Sequence, residues 1–285
     1  MIRDEDPAVP ESSPLPMLAP CRLLDMRAPL RWLNEGYADF RAAPVQSVLY
    51  GLMMVGICGL LAVLGNLWGG FVIPLAIMGG IVFLAPVLCL GLYAISAQLE
   101  RKQPAMLGRT FREAARRRLG TELVFALILL VIFLIWIRAF SMIQVFMPMD
   151  ASPAPAATAM YHSVMLVVGL LFAALTFCFS AFSLPMIMHR DVDAVTAAIT
   201  SINAVLRNKR VMLLWAGIIF LAVLVGVATA FVGAVVLWPI IGMATWHAYL
   251  ETIDASAFPR HNEGITATPR SISGITSAAG AKAPQ

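Results

Sequence analysis

The residues best able to do chemistry lie between Ser183 and Trp215, where the densest polar stretch of the chain joins two apolar runs. An apolar run passes through Pro185 and hands over to His189-Arg190-Asp191-Val192-Asp193; a helix-patterned segment and Arg207-Asn208-Lys209-Arg210 follow. Imidazole and carboxylate groups ligate divalent ions, and the Asp-x-Asp pair is of the kind found in sugar-transferase metal sites. One histidine and two carboxylates nevertheless lack the spacing that a particular metal demands. Capping explains the same residues. Asp193 suits the N-cap of a helix over 194–206, Asp191 adds negative charge near that helix's positive end, and Arg190 serves as a topological anchor.

Two further residues invite a ligand or partner. His247, in Trp246-His247-Ala248-Tyr249, ends an apolar run and would approach His189 if the two runs are neighbours. Arg138 is the only Lys or Arg inside an apolar run. A charge there costs at least about 2.5–3.5 kcal/mol by insertion scales and marks either a pathway or a side chain reaching outward. A basic run, with Arg112, Arg116, Arg117 and Arg118, would attract anionic headgroups at about 1 kcal/mol per residue, or act as an orientation signal alone. No G-x-S-x-G elbow, P-loop, H-E-x-x-H or G-x-G-x-x-G occurs. No catalytic residue, metal site or cofactor is therefore expected, and a non-enzymatic role is the leading expectation.

The elements that position these residues follow from composition. Of 285 residues 60% are hydrophobic and 13% charged, with a net charge of +4 and a mean hydropathy of +0.84. Soluble domains are nearer half apolar and a quarter charged, so lipid must solvate much of this chain. The basic residues flank apolar runs, which is a topology signal rather than a nucleic-acid footprint. The four cysteines form no CxxC pair and read as small core residues.

Taken in order, residues 1–28 are proline-rich and acidic and are expected to be disordered. Leu30, Leu33, Tyr37 and Phe40 then recur at helical spacing among polar residues, as in an interfacial amphipathic helix. Apolar runs follow over about 45–67, 71–95, 122–147 and 161–188. The run 211–249 would be roughly 58 Å long as one helix, against a hydrocarbon core of about 30 Å, so it must turn back near Thr229–Gly233. The expected fold is an all-α integral membrane bundle. Its six transmembrane helices form three hairpins, each preceded by a cytoplasmic-side amphipathic helix, over residues 29–252. Residues 253–285 read as a disordered tail. Lys and Arg fall in both end segments and in the 98–121 and 189–210 connections, which places both termini in the cytoplasm by the positive-inside rule. Pro86, Pro185 and Pro239 each lie toward the cytoplasmic end of an even-numbered span, consistent with a threefold repeat.

Trp32-Leu33-x-x-Gly36-Tyr37-x-Asp39-Phe40-Arg41-x-x-Pro44, the Ser183–Trp215 stretch and Gly242-x-x-Thr245-Trp246-His247-Ala248-Tyr249 together resemble a bacterial family of predicted integral membrane proteins, domain of unknown function 2189. The resemblance spans roughly residues 29–252 and implies a bacterial inner-membrane protein with no assigned activity. Some members carry the label cytochrome c oxidase subunit I, but four histidines in all cannot supply that subunit's ligands. The expected role is binding or scaffolding with membrane lipids, a membrane-protein partner or a second copy, without nucleic acid. The alternatives are a small-solute or ion transporter using Arg138 and a lipid-modifying enzyme using Asp191 and Asp193.

Overall fold

The computed structural model describes residues 16–67, 80, 83–105, 120–147 and 154–260. Among them the named elements are nine helices: α1 (Ala28–Ala42), α2 (Pro44–Leu67), α3 (Leu90–Glu100), α4 (Gly120–Phe146), α5 (Pro155–Ser180), α6 (Ser183–His189), α7 (Ala194–Arg207), α8 (Lys209–Ala228) and α9 (Ala234–Thr252). Five helical segments are long and apolar enough to cross a membrane: Pro44–Leu64, Phe83–Glu100, Gly120–Phe146, Pro155–His189 and Lys209–Ala228. Four of the five leave an apolar surface outside, such as Leu127, Leu134 and Ile135 on α4 or Leu213, Phe220 and Leu221 on α8, whereas Phe83–Glu100 exposes no large apolar side chain. Patches of that extent belong in lipid.

The sixth expected span differs in kind. The chain does turn at Thr229–Gly233, but α9 carries Pro239, Trp246, His247 and Glu251 and does not match the other five in apolar character. It can do so because protein surrounds it: α9 packs on α1, α2, α3, α6 and α8. Its neighbours, rather than lipid, solvate it. Gly36 of α1 lies so close that a Cβ there would sit 2.6 Å from the Ile240 carbonyl oxygen and 2.7 Å from the Ala244 nitrogen.

Breaks in the helices are closed by residues from other helices, the usual way that freed backbone groups are satisfied in a membrane. After Pro86 the chain turns at Cys89, where Leu92 N–H bonds the Cys89 carbonyl and leaves that of Leu88 free. The Tyr50 hydroxyl donates to the Leu88 carbonyl at 2.6 Å and accepts from Gly91 N–H at 3.2 Å. Between α5 and α6, the Ser201 hydroxyl donates to the Cys178 carbonyl (2.8 Å) and accepts from Phe182 N–H (3.1 Å). Pro239 has no N–H for the Val235 carbonyl, and Gly51 of α2 packs directly on that oxygen.

The terminal segments correct the expected boundaries. Within the described residues, 16–27 and 253–260 are packed rather than unstructured. Ala19 N–H bonds Thr200 Oγ1 (3.3 Å), Leu24 N–H bonds Asn208 Oδ1 (2.9 Å), and Asn208 Nδ2 donates to the Arg22 carbonyl (3.0 Å). The two straps then meet each other: Arg22 N–H bonds the Thr252 carbonyl and Asp254 N–H the Pro20 carbonyl. Hydrogen bonds to residues remote in sequence hold these segments, together with buried Ala19, Cys21, Ile253 and Phe258, and no local periodicity announces such partners. Residues 1–15 and 261–285 lie outside the described residues.

The structure also alters the expected amphipathic helices. In α1 the buried stripe is Ala28, Pro29, Trp32 and Gly36, whereas Leu30 and Tyr37 are exposed. In α7 the buried face is made of small residues including Ala194, Ala197, Ala198, Ser201 and Ala204, and Val195, Ile199 and Leu206 point outward. Gly36 lets α1, and the alanines let α7, approach the bundle closely, while Leu30 and Tyr37 of α1 and the aliphatic stripe of α7 are left exposed. The third expected amphipathic helix, with Arg112, Arg116, Arg117 and Arg118, lies largely outside the described residues.

A polar collar around the end of the central helix

The last two turns of α9 present polar groups to three different helices. Trp246 Nε1 donates to Glu100 Oε2 at the end of α3 (3.2 Å). His247 lies between two carboxylates of α1, with Nε2 2.8 Å from Asp39 Oδ2 and Nδ1 3.4 Å from Glu35 Oε2; donation from both nitrogens favours the imidazolium. The Tyr249 hydroxyl lies 2.9 Å from His189 Nδ1 of α6. Glu251 accepts from Trp32 Nε1 at 2.6 Å and from Arg31, which also pairs with Asp25 at 2.8 Å. That guanidinium, through its hydrogen bond, and the Arg27 amide hold the Asp25 carboxyl below its usual value. Successive residues of a helix point about 100° apart, so one short stretch can tie down three helices.

His189 and His247 therefore share the collar without sharing a site. His189 packs against the Trp246 and Tyr249 rings, with centroids 5.5 and 5.7 Å away, while His247 faces α1. Asp191 is exposed and offers its backbone N–H to the Pro259 carbonyl (2.9 Å). Among the described residues no three His, Cys, Asp or Glu side chains converge on a position that could hold a metal ion. Sequence reasoning missed Glu35, Asp39, Glu100 and Glu251 as members of this collar. Their partners are remote in sequence, so no local motif announces them.

Asp193 caps α7, its Oδ1 accepting from Val195 N–H and Thr196 N–H, both at 2.9 Å. Partial burial pushes its carboxyl up, but the Thr196 and Val195 hydrogen bonds outweigh this and leave it below the usual value. Asp193→Ala is expected to cost about 1 kcal/mol, measured by reversible unfolding in mixed micelles at neutral pH. A depressed folded-state value makes this stabilisation complete above the ordinary carboxylate range near pH 4, and lost as pH falls through the folded value. Wild type and variant should accordingly converge in acid. A difference that grows on acidification would exclude the cap as its source.

Arg190, expected as a topological anchor, is buried against the C-terminal strap. It is 8% exposed, and its Nη1 donates to the Phe258 carbonyl at 2.9 Å, fastening the C-terminal strap. Arg138 is exposed on the outer surface of α4, on the side of Leu134 and Ile135 rather than toward other helices. Eight residues separate it from Phe146, about 12 Å along the axis, within a turn or so of the reach of a snorkelling arginine.

Beside the collar, α3, α6 and α9 enclose a small hollow of about 20 Å³, lined by Gln98, Arg101, His189 and Trp246 over Ala94 and Met188. A Schellman turn fixes its rim: Lys102 N–H bonds the Leu99 carbonyl (2.8 Å) and Gln103 N–H that of Gln98 (2.9 Å). Lys102 adopts the left-handed φ of 55° that this turn requires.

The apolar second, third and fourth helical segments of this arrangement run through 72–189, ending on the His189 that lines the hollow. Residues 72–189 match DUF2189, predicted integral membrane protein. The DUF2189 match takes in α3–α6 and ends before α7, so the Trp32–Pro44 and Gly242–Tyr249 motifs lie outside it. No curated protein and no solved structure matches the chain. That match and the five apolar helical segments make the chain an integral membrane protein.

Proposed function

We propose that this protein is a non-enzymatic scaffold of the bacterial inner membrane that works by binding lipids and membrane partners. On this reading α9 is a sixth crossing enclosed by the others, the collar marks the cytoplasmic side, and both termini face the cytoplasm. The observation that carries the reading is the outward aliphatic stripe on α1 and α7 at the collar end. Leu30 and Tyr37, and Val195, Ile199 and Leu206, are exposed while the opposite faces of those helices, with Trp32 and Gly36 on α1 and the alanines on α7, pack on the bundle. Large apolar stripes next to Arg207, Lys209 and Arg210 suit a helix lying in an anionic membrane surface. The collar groups themselves are engaged in joining helices, which supports an architectural rather than a catalytic use.

A nitroxide at Ile199→Cys, in a chain whose four native cysteines are replaced by serine, tests this in liposomes. Oxygen should reach the label at least several-fold more readily than a water-soluble nickel chelate. Full access to the aqueous relaxant would sink the interfacial placement.

A further inference from the structure

We infer that the hollow between α3, α6 and α9 is a binding site for a phosphate group, offered by a membrane lipid whose headgroup docks on Arg101. The inference rests on the lipid-binding reading above and assigns it a place. Arg101 follows directly on the Phe83–Glu100 segment, so its guanidinium stands where a crossing helix leaves the hydrocarbon and lipid phosphates lie. Among the described residues no carboxylate lies within 4 Å of it. The neighbouring Glu100 carboxylate is engaged by Trp246 Nε1, which holds the indole as one wall.

The other linings suit the two halves of a phospholipid. Gln98, almost fully buried, and His189 supply polar edges beside the cation, whereas Ala94 and buried Met188 supply apolar lining. The Arg101 guanidinium is the phosphate donor that carries the site; Gln98 and His189 line it while holding partners of their own. The enclosed part of the hollow, about 20 Å³, admits a single oxygen-sized group. The rest of a headgroup must therefore lie at the mouth, on Arg101. The Schellman turn pre-organises this arrangement, because Gln98 contributes its carbonyl to the turn while its side chain lines the hollow.

The test is thermal unfolding of the full chain in mild detergent with three probes: short-chain phosphatidylglycerol, diacylglycerol of the same chains, and inorganic phosphate. Native mass spectrometry records retained lipid in parallel. Phosphatidylglycerol should raise the melting temperature of the wild type by about 2–4 °C and diacylglycerol should not. Arg101→Gln, at an exposed position, should keep the unliganded melting temperature and lose most of the shift; His189→Gln should lose part of it. An equal, Arg101-dependent shift with inorganic phosphate would support the same site with free phosphate as its ligand. Equal shifts in wild type and Arg101→Gln, with lipid retained by both, would overturn the site and leave the lipid-binding reading standing. No shift with either phosphate compound, and no retained lipid, would overturn both.

Discussion

Gly51→Val is expected to destabilise the protein by about 2–3 kcal/mol, at the upper end of the cost of overpacking. A Cβ at position 51 would stand 2.9 Å from the Val235 carbonyl carbon and 3.0 Å from Pro239 Cγ, and closer still to the Val235 oxygen. Two of those atoms are backbone and the third is a proline ring, so none can rotate away. The helices would have to separate, and separation uncovers the carbonyl that Pro239 cannot satisfy, in surroundings without water. Gly56→Ala on the same helix is the control, because nothing lies within 4 Å of the added methyl. It should leave stability unchanged or slightly raised. Unfolding free energies in mixed micelles decide the matter, and similar values for the two variants would refute the close-approach argument.

Glu251→Ala should be comparably severe, at about 2–3 kcal/mol. Its carboxylate receives the indole N–H of Trp32, whose side chain is fully buried, as well as the Arg31 guanidinium. The Arg31 pair is substantially exposed and contributes little because solvent screens it. The larger loss comes from Trp32, whose buried donor would be left without an acceptor, at about 1–3 kcal/mol. Glu251→Gln retains an acceptor oxygen and should recover much of the loss, whereas Trp32→Phe should make Glu251→Ala markedly less harmful. A double-mutant cycle measures that coupling, and additive effects would show that the indole contact carries none of it.

These two sites show what a single sequence can and cannot reveal. Apolar runs, the turn at Thr229–Gly233 and the Asp193 cap depend on neighbours in the chain, and periodicity or residue type exposes them. The partners of Gly51 and Glu251 are set by packing between remote helices. Helical spacing in α1 and α7 revealed a stripe of large apolar residues, but not that Gly36 or the alanines would face the bundle instead. Hydropathy sets α9 below the other five segments, but only the fold shows why its polar residues are tolerated, with five other helices packed on it. Arg138 was legible as an intramembrane charge, yet only the fold shows it on the outer surface of α4, beside Leu134 and Ile135.

The pairing of Trp32 with Glu251 joins residues 219 positions apart, and this has a bearing on biogenesis. The helix that binds α1 and α2 together is the last of the described helices that the ribosome makes. Until it emerges, the groove of Gly36 and Gly51 has nothing to receive, and the N-terminal strap lacks the Thr252 carbonyl that accepts from Arg22. Until then α1 and α2 lack their principal packing partner, while α4, α5, α6 and α7 can already pack on one another. Arrival of α9 and the residues just after it then acts as the keystone of assembly, and translation stalled before residue 234 would leave a protein inserted but unlocked.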